Sequence, residues 1–380
     1  MKIVLTTTSF LPRVGGKELA LHHLAEALGD RGHQVTLQCR AVPGTTAPVG
    51  RAYRVRRFGP STWGGGRSHI GEVVALGQLV SLRLSTGWDV LNAHGAVACG
   101  LHTSLARRFP GGPFVVTVHG GDVRAAGGAG SAVARVLREA DLVVAKSQSM
   151  RSAVLELGVA PERVVCIANG IALETFTYPP ERDHTRDAYG LPREAVVFVS
   201  VGRNHPIKDF PTVVKGIALA RRANPDLHYV VVGRDAAPLR ELAGQLGVGE
   251  AVHVVGELPH HEVVRLLGAA DVFVNSSLSE GSPNSTLEAL ASGLPCVITD
   301  APGNRDVDAP GALTVVGTTD PEALAQAFGL LAADSALRAT AGEAARAAVA
   351  ACDWDVVAER YERAYAAAAQ TAIRRRKGGR

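Results

Sequence analysis

Glu280 and Glu288 stand eight positions apart in "SLSEGSPNSTLEALASGLPCVITD", residues 277–300, with Ser, Pro, Asn and Thr between them. Two carboxylates in such a stretch can serve three chemistries. They can be a general acid and base working on one glycosidic bond, part of a metal cage, or acceptors for the hydroxyls of a polyhydroxylated ligand. Arg203 and Lys208 in "VSVGRNHPIKDF" bear on that choice. A bidentate guanidinium and a point-charge ammonium on one loop make a clamp for a diphosphate leaving group. Acids beside two such cations already have charge partners and supply few ligands, which disfavours a metal. The acid-and-nucleophile alternative requires both carboxylates to be aimed at one bond.

Further candidates lie in the first half of the chain. Gly15 and Gly16 in "SFLPRVGGKELALHHLAEAL" open a helix, so a phosphate or sugar can approach the backbone there. The same pair serves equally as a plain strand-to-helix turn. His119 ends "FVVTVHGGD" and is followed by Gly120, Gly121 and Asp122, a position suited to touching a bound sugar. His94 in "VLNAHGAVACG" is placed in an equivalent way, as an acceptor-side residue or a packing one. His22 and His23 read as ordinary helix residues. Two D-x-D triplets, at 306–308 and 353–355, read as a loop and a helix start rather than a metal site.

These residues need a scaffold that gathers loops at one edge, and the chain alternates in the way such a scaffold does. "KIVLTT", "QVTLQC", "DVLNAH", "FVVTVHG", "DLVVAKS" and "RVVCIANG" are short apolar runs separated by helical segments, which predicts parallel βαβ units. A polar, proline-containing stretch at 173–192 reads as a linker. A second set follows: "AVVFVSVGR", "LHYVVVGRD", "AVHVVGE", "DVFVNSS", "PCVITD" and "ALTVVG". The expectation is α/β, with two Rossmann-like doubly wound domains facing a central cleft: residues 1–172, then 193–355, with a C-terminal helix at about 356–380 packed back on the first. Within the opening stretch, "DVFVNSS" is the strand, and Gly281, Ser282, Pro283 and Asn284 form the turn. "TLEALAS" is a helix ended by Gly293. Ser285 and Thr286 thus begin a helix whose free amides suit a phosphate, and Glu288 lies one turn in. A ligand held between the acids carries hydroxyls at both ends and phosphates between, the shape of a nucleotide sugar.

Composition narrows the field further. The chain has 380 residues, enough for two cores, and 40 basic against 36 acidic side chains, with much of the excess in the final "IRRRKGGR". A near-neutral body with 5% aromatics argues against a nucleic-acid role. There is no G-x-x-x-x-G-K-[ST] and no G-x-G-x-x-G after a strand, against P-loop enzymes and ordinary NAD dehydrogenases. Five single cysteines with no C-x-x-C signal neither zinc nor disulfides, and point to a reducing compartment. Neither a signal peptide nor a spanning helix is read from the sequence, so a soluble, cytoplasmic protein is expected. The basic tail and the arginines of "RAYRVRRF" permit a weak, peripheral membrane-surface contact.

The motifs in this order, "VGG", "VTVHGGD", "IANGIALETF", "VGRNHPIKDF" and "EGSPNSTLEALASGLPCV", resemble the retaining glycosyltransferases of the GT-B fold, family four, over nearly the whole chain. The resemblance implies that Arg203 and Lys208 hold the donor diphosphate, Glu288 the ribose and Glu280 the transferred sugar. It also implies that amides from Ser282 to Thr286 approach sugar and phosphate, that His119 sits over the sugar, and that Gly16 borders the diphosphate. It implies a UDP-sugar donor such as UDP-GlcNAc or UDP-glucose, a glycan, glycolipid or natural-product acceptor, and no metal or other cofactor. The loop lacks the bulky aromatic that many members carry after the glycine, and "HPIKD" lacks a glycine after the lysine, which leaves the donor sugar open. A nucleotide-sugar epimerase and a non-catalytic sugar-nucleotide-binding partner are the competing classes.

Overall fold

A computed structural model of the chain describes residues 1–12, 15–41, 52–58, 69–96, 99–106, 112–124, 127–128, 130–176 and 181–378. The chain divides into two compact units, Met1–Gly170 with Trp354–Arg380, and Ile171–Asp353.

The first unit is built on strands β1 (Lys2–Thr6), β2 (Gln34–Arg40), β3 (Tyr53–Phe58), β4 (Val90–His94), β5 (Phe114–Thr117), β6 (Leu142–Ala145) and β7 (Val164–Cys166). They form one parallel sheet in the order β3-β2-β1-β4-β5-β6-β7. The order reverses between β1 and β4, so the loops leaving these two strands open a crevice at the carboxyl edge. Near-continuous apolar runs such as "LVVA" suit strands covered on both faces. β3 departs from the strand pattern expected of the sequence. "YRVRRF" carries three arginines, yet Tyr53 and Phe58 are buried, and Arg57 Nη2 donates to the Leu11 carbonyl oxygen at 2.7 Å. The run expected to offer a basic surface is an edge strand, where exposed charge discourages further strand pairing. Arg51 lies outside the described residues.

The helix Trp354–Gly378 belongs to this first unit. Its Tyr365 hydroxyl accepts from Asn92 Nδ2 at 3.0 Å, and its Tyr361 hydroxyl accepts from Lys146 Nζ at 2.9 Å. Trp354 stacks on His23, with ring centroids 5.8 Å apart. His22 meets the Tyr53 hydroxyl at 2.8 Å, so both helix histidines are packing residues.

The second unit carries β8 (Val196–Val201), β9 (Leu227–Val232), β10 (Val252–Gly256), β11 (Val272–Asn275), β12 (Cys296–Thr299) and β13 (Leu313–Val316). They pair in parallel in the order β10-β9-β8-β11-β12-β13, and the reversal between β8 and β11 brings their loops together. The segment 173–192, read as a linker, is folded into this unit, apart from 177–180, which lie outside the described residues. Arg186, on the helix Arg182–Ala188, is fully buried and donates to the Ala269 and Ala195 carbonyls at 3.0 and 2.9 Å and to Asp271 Oδ2 at 2.8 Å. A buried guanidinium satisfied by carbonyls and one carboxylate looks, in sequence, like linker polarity. The alanine-rich stretch after Asp320 forms two helices, Pro321–Ala333 and Ser335–Val349. They are separated at Asp334, whose carboxylate caps the second by accepting from Leu337 N–H at 2.8 Å.

Candidate active site

In the second unit the loop leaving β8 carries Arg203 and Lys208, and the loop leaving β11 carries Glu280. Lys208 Nζ donates to Glu280 Oε1 at 2.5 Å, and Ser277 Oγ donates to the same oxygen at 2.6 Å. The two loops are laced by backbone as well: Leu278 N–H donates to Ile207 O at 2.8 Å, and Ser276 Oγ to Lys208 O at 2.6 Å. Lys208 and Glu280 are therefore neighbours fixed by the switch-point topology, although 72 residues separate them. Arg203 differs. Its side chain is 61% exposed and pairs at 2.7 Å with Asp235, itself 58% exposed. Such a pair holds its guanidinium weakly, and an incoming phosphate can take it over.

Beneath the Glu280 loop lies a buried polar network. Asn275 Nδ2 donates to Thr286 Oγ1 at 2.9 Å and to Asn304 Oδ1 at 3.1 Å, and Asn304 Nδ2 donates to Thr299 Oγ1 at 3.0 Å. Every member is fully or nearly fully buried, so the network fixes the loop from below. The loop is also pinned from its side: Glu280 N–H donates to Pro302 O at 2.8 Å, and a Cβ added to Gly303, whose φ is +86°, would lie 2.3 Å from the Glu280 carbonyl oxygen.

The helix Asn284–Ala291 starts after Pro283, which is buried, while Gly281, Ser282, Asn284 and Ser285 are partly exposed beside it. Two of the amides expected to meet a ligand are used within the turn: Asn284 N–H donates to Ser282 O and Thr286 N–H to Pro283 O, both at 2.9 Å. Thr286 also turns its hydroxyl inward, so its side chain serves the network. Glu288 faces His260, with Nε2 and Oε1 3.3 Å apart. The hydrogen bond to this carboxylate raises the His260 imidazole above its usual value against the opposing effect of burial.

In the first unit Gly16 is exposed at the start of the helix Gly16–Asp30, and Gly15 is its N-cap in extended backbone. The room that Gly15 provides is occupied: a Cβ there would lie 2.5 Å from Glu18 Oε2. Glu18, nearly buried, also accepts from Ser9 Oγ at 2.5 Å. A carboxylate three positions after the cap is a common helix-start device, and that spacing was the available signal for it. Of the two glycines, Gly16 is the exposed one and Gly15 the partly buried one.

His94 ends β4 and His119 follows β5, and their rings lie 5.8 Å apart. Both Nε2 atoms are shielded from solvent and, among the described residues, have no hydrogen-bond partner. Burial above all, then neighbouring groups including Lys146 and Lys17, holds both imidazoles well below their usual value, so they are neutral. Asp122, expected to face an acceptor, is buried and accepts from the His119 backbone N–H at 2.8 Å. A Cβ on Gly95 would stand 3.6 Å from its other oxygen, so Asp122 positions the loops around His119.

Residues 14–175 match the family described as Glycosyltransferase Family 4, and residues 181–348 match Glycosyl transferases group 1. The chain belongs to this glycosyltransferase family. It is 27% identical to the Escherichia coli UDP-Gal:alpha-D-GlcNAc-diphosphoundecaprenol alpha-1,3-galactosyltransferase over 80% of this chain and 81% of the relative. It is 32% identical to D-inositol 3-phosphate glycosyltransferase 1 of Catenulispora acidiphila over 57% of each. The crystal structure of Anabaena Alr3699/HepE in complex with UDP and glucose superposes with a TM-score of 0.77 at 20% identity, covering 96% of this chain and 98% of the other. The fold is GT-B.

Several candidates end or follow the strands that flank a reversal of strand order: Gly15, Gly16 and His94 at β1 and β4, and Arg203, Lys208 and Glu280 at β8 and β11. Reading the sequence missed three residues that act on the named ones from far along the chain, Asp235 on Arg203, His260 on Glu288 and Gly303 on Glu280, and one that acts locally, Glu18 on Gly15. Among the described residues no group of three or more His, Cys, Asp or Glu could hold a metal ion. No helix among them is long and apolar enough to cross a membrane.

Proposed function

We propose that this glycosyltransferase moves a hexose or N-acetylhexosamine from a nucleotide-diphosphate sugar, UDP-sugar favoured, to a hydroxyl of a glycan, glycolipid or natural-product acceptor with retention of configuration. The observation that carries the reading is the Lys208–Glu280 pair at 2.5 Å beside the loosely held Arg203, at the switch point of the second sheet. A single ammonium with three donors can keep one on Glu280 and turn others to a diphosphate. Glu280 then meets the hydroxyls of the sugar attached to that diphosphate, and Glu288, on the next helix, meets the ribose. UDP is preferred because the Escherichia coli relative is named for a UDP-sugar and the Anabaena neighbour is a complex with UDP.

In the transfer step the bond between the anomeric carbon and the leaving phosphate oxygen breaks, and the acceptor oxygen bonds to the same carbon. The acceptor proton passes to the departing phosphate. Negative charge grows on that phosphate, where Arg203, Lys208 and the Ser285 amide stabilise it without a metal ion. No carboxylate is assigned as nucleophile, because Glu280 is committed to Lys208 and Ser277. The acceptor hydroxyl therefore attacks the face from which the diphosphate leaves, helped by its positioning there.

Arg203→Ala and Lys208→Ala are expected to lower kcat/KM by roughly a hundredfold each, the scale of removing one oxyanion donor. Release of nucleoside diphosphate from a donor panel, with and without acceptor glycans, measures this. Transfer that survives both substitutions unchanged would remove the clamp assignment, and an isomerised nucleotide sugar formed from donor alone would mark an epimerase.

A further inference from the structure

Lys146 is a buried cation that the proposed transfer step does not use. It directly follows β6, it is 4% exposed, and it meets the Tyr361 hydroxyl at 2.9 Å and the Tyr361 ring, 5.0 Å from Nζ to the centroid. Among the described residues no carboxylate pairs with it. Taking an ammonium out of water without a counter-charge costs several kcal/mol, and a hydroxyl and a ring face satisfy only part of its three donors.

The sheet register says what surrounds it. Thr117 on β5 pairs with Val144 on β6, and His119 and Lys146 each follow that pair by two residues at the carboxyl edge of neighbouring strands. His94 pairs with Thr117 on the other side. His94, His119 and Lys146 therefore share the sheet face on which Tyr361 and Tyr365 are seated. Both histidine Nε2 atoms there have no partner among the described residues. Lys17, in the first turn of the helix after β1, is the second cation near the histidines. Its side chain is 28% exposed, and among the described residues its ion pair is a loose one to Glu18 at 3.9 Å. Nearby negative charge is already engaged, since Asp122 holds the His119 backbone and Glu18 holds Ser9.

We infer that Lys146 as floor and Lys17 as mouth, flanked by the His94 and His119 rings, form a phosphate site in the first unit that selects an acceptor carrying a phosphate group. Two cations and two imidazole nitrogens match a dianion with several oxygens better than a carboxylate. Assigning the phosphate to the acceptor rests on the transferase reading. The anion site itself does not, so the two can fail separately.

The test is thermal unfolding of the full chain with rising inorganic phosphate, with acetate at matched ionic strength as the control. Phosphate should raise Tm in a saturable way and acetate should not. The response should persist in the Arg203→Ala/Lys208→Met double variant, which removes the cations of the second unit. Lys146→Met should weaken apparent phosphate affinity by roughly tenfold or more, the loss expected for one charge-assisted contact. If Lys146→Met does not fold, Lys17→Ala, a change at a partly exposed position, decides by weakening the response in the same direction. The inference is overturned if acetate matches phosphate, if the lysine variants that fold respond like the parent, or if the double variant loses the effect.

Discussion

Lys208 and Glu280 show how one residue's role depends on another far away in sequence. Read along the chain, Glu280 belongs with Glu288, eight positions on. In space its partner is Lys208, and the partner of Glu288 is His260. The residue types were legible because a cation pair and an acid pair each follow an apolar run. Their pairing was not, since it depends on which strands lie side by side. His260 also carries a prediction with a definite sign. Its folded value is raised by Glu288, so the stability it contributes is fully present below the unfolded imidazole value near 6.5 and is lost as pH rises through the higher folded value. The Tm advantage of the parent over His260→Gln should therefore be largest in mildly acidic buffer and shrink towards alkaline pH. An advantage that grows with pH would show that the pair does not operate as described. Nucleotide binding should reduce the pH dependence, because a ribose at Glu288 competes with the imidazole.

At the scale of elements, the strands that position the site were legible because doubly wound sheets cover both faces of each strand and leave long apolar runs. β3 and the helix Arg182–Ala188 were not, because their charged residues are satisfied by distant backbone: Arg57 by Leu11, and Arg186 by Ala195 and Ala269. Composition alone cannot distinguish such residues from solvated ones. Gly303 belongs to the same class. At φ +86° and with the Glu280 carbonyl filling the place of a Cβ, it fixes the height of the Glu280 loop. Gly303→Ala should destabilise the second unit by about 1–3 kcal/mol through backbone strain and steric displacement. It should also raise KM for the donor, as read from denaturation curves and initial rates. Unchanged stability and KM would mean that the loop is held by the Asn275–Thr286–Asn304 network alone.

At the scale of the whole molecule, the two units divide the chemistry. The second contains the cations and acids proposed to hold a donor. The first contains Gly16, two neutral histidines and a buried lysine under its C-terminal helix. The division into two α/β sheets was legible from the recurrence of strand-like runs, whereas the boundary was less so, because the expected linker is folded structure. The candidate cations and Glu280 of the second unit meet where its strand order reverses, and the proposed function depends on whether this reversal between β8 and β11 holds a diphosphate. The most direct measurement is thermal unfolding of the parent chain and Arg203→Ala with UDP, GDP, ADP and TDP, each compared with its nucleoside. At least one diphosphate should raise Tm of the parent, UDP foremost, its nucleoside should do so much less, and Arg203→Ala should lose most of the difference. Equal stabilisation by diphosphate and nucleoside, or a response that Arg203→Ala leaves intact, would contradict a diphosphate clamp at this reversal.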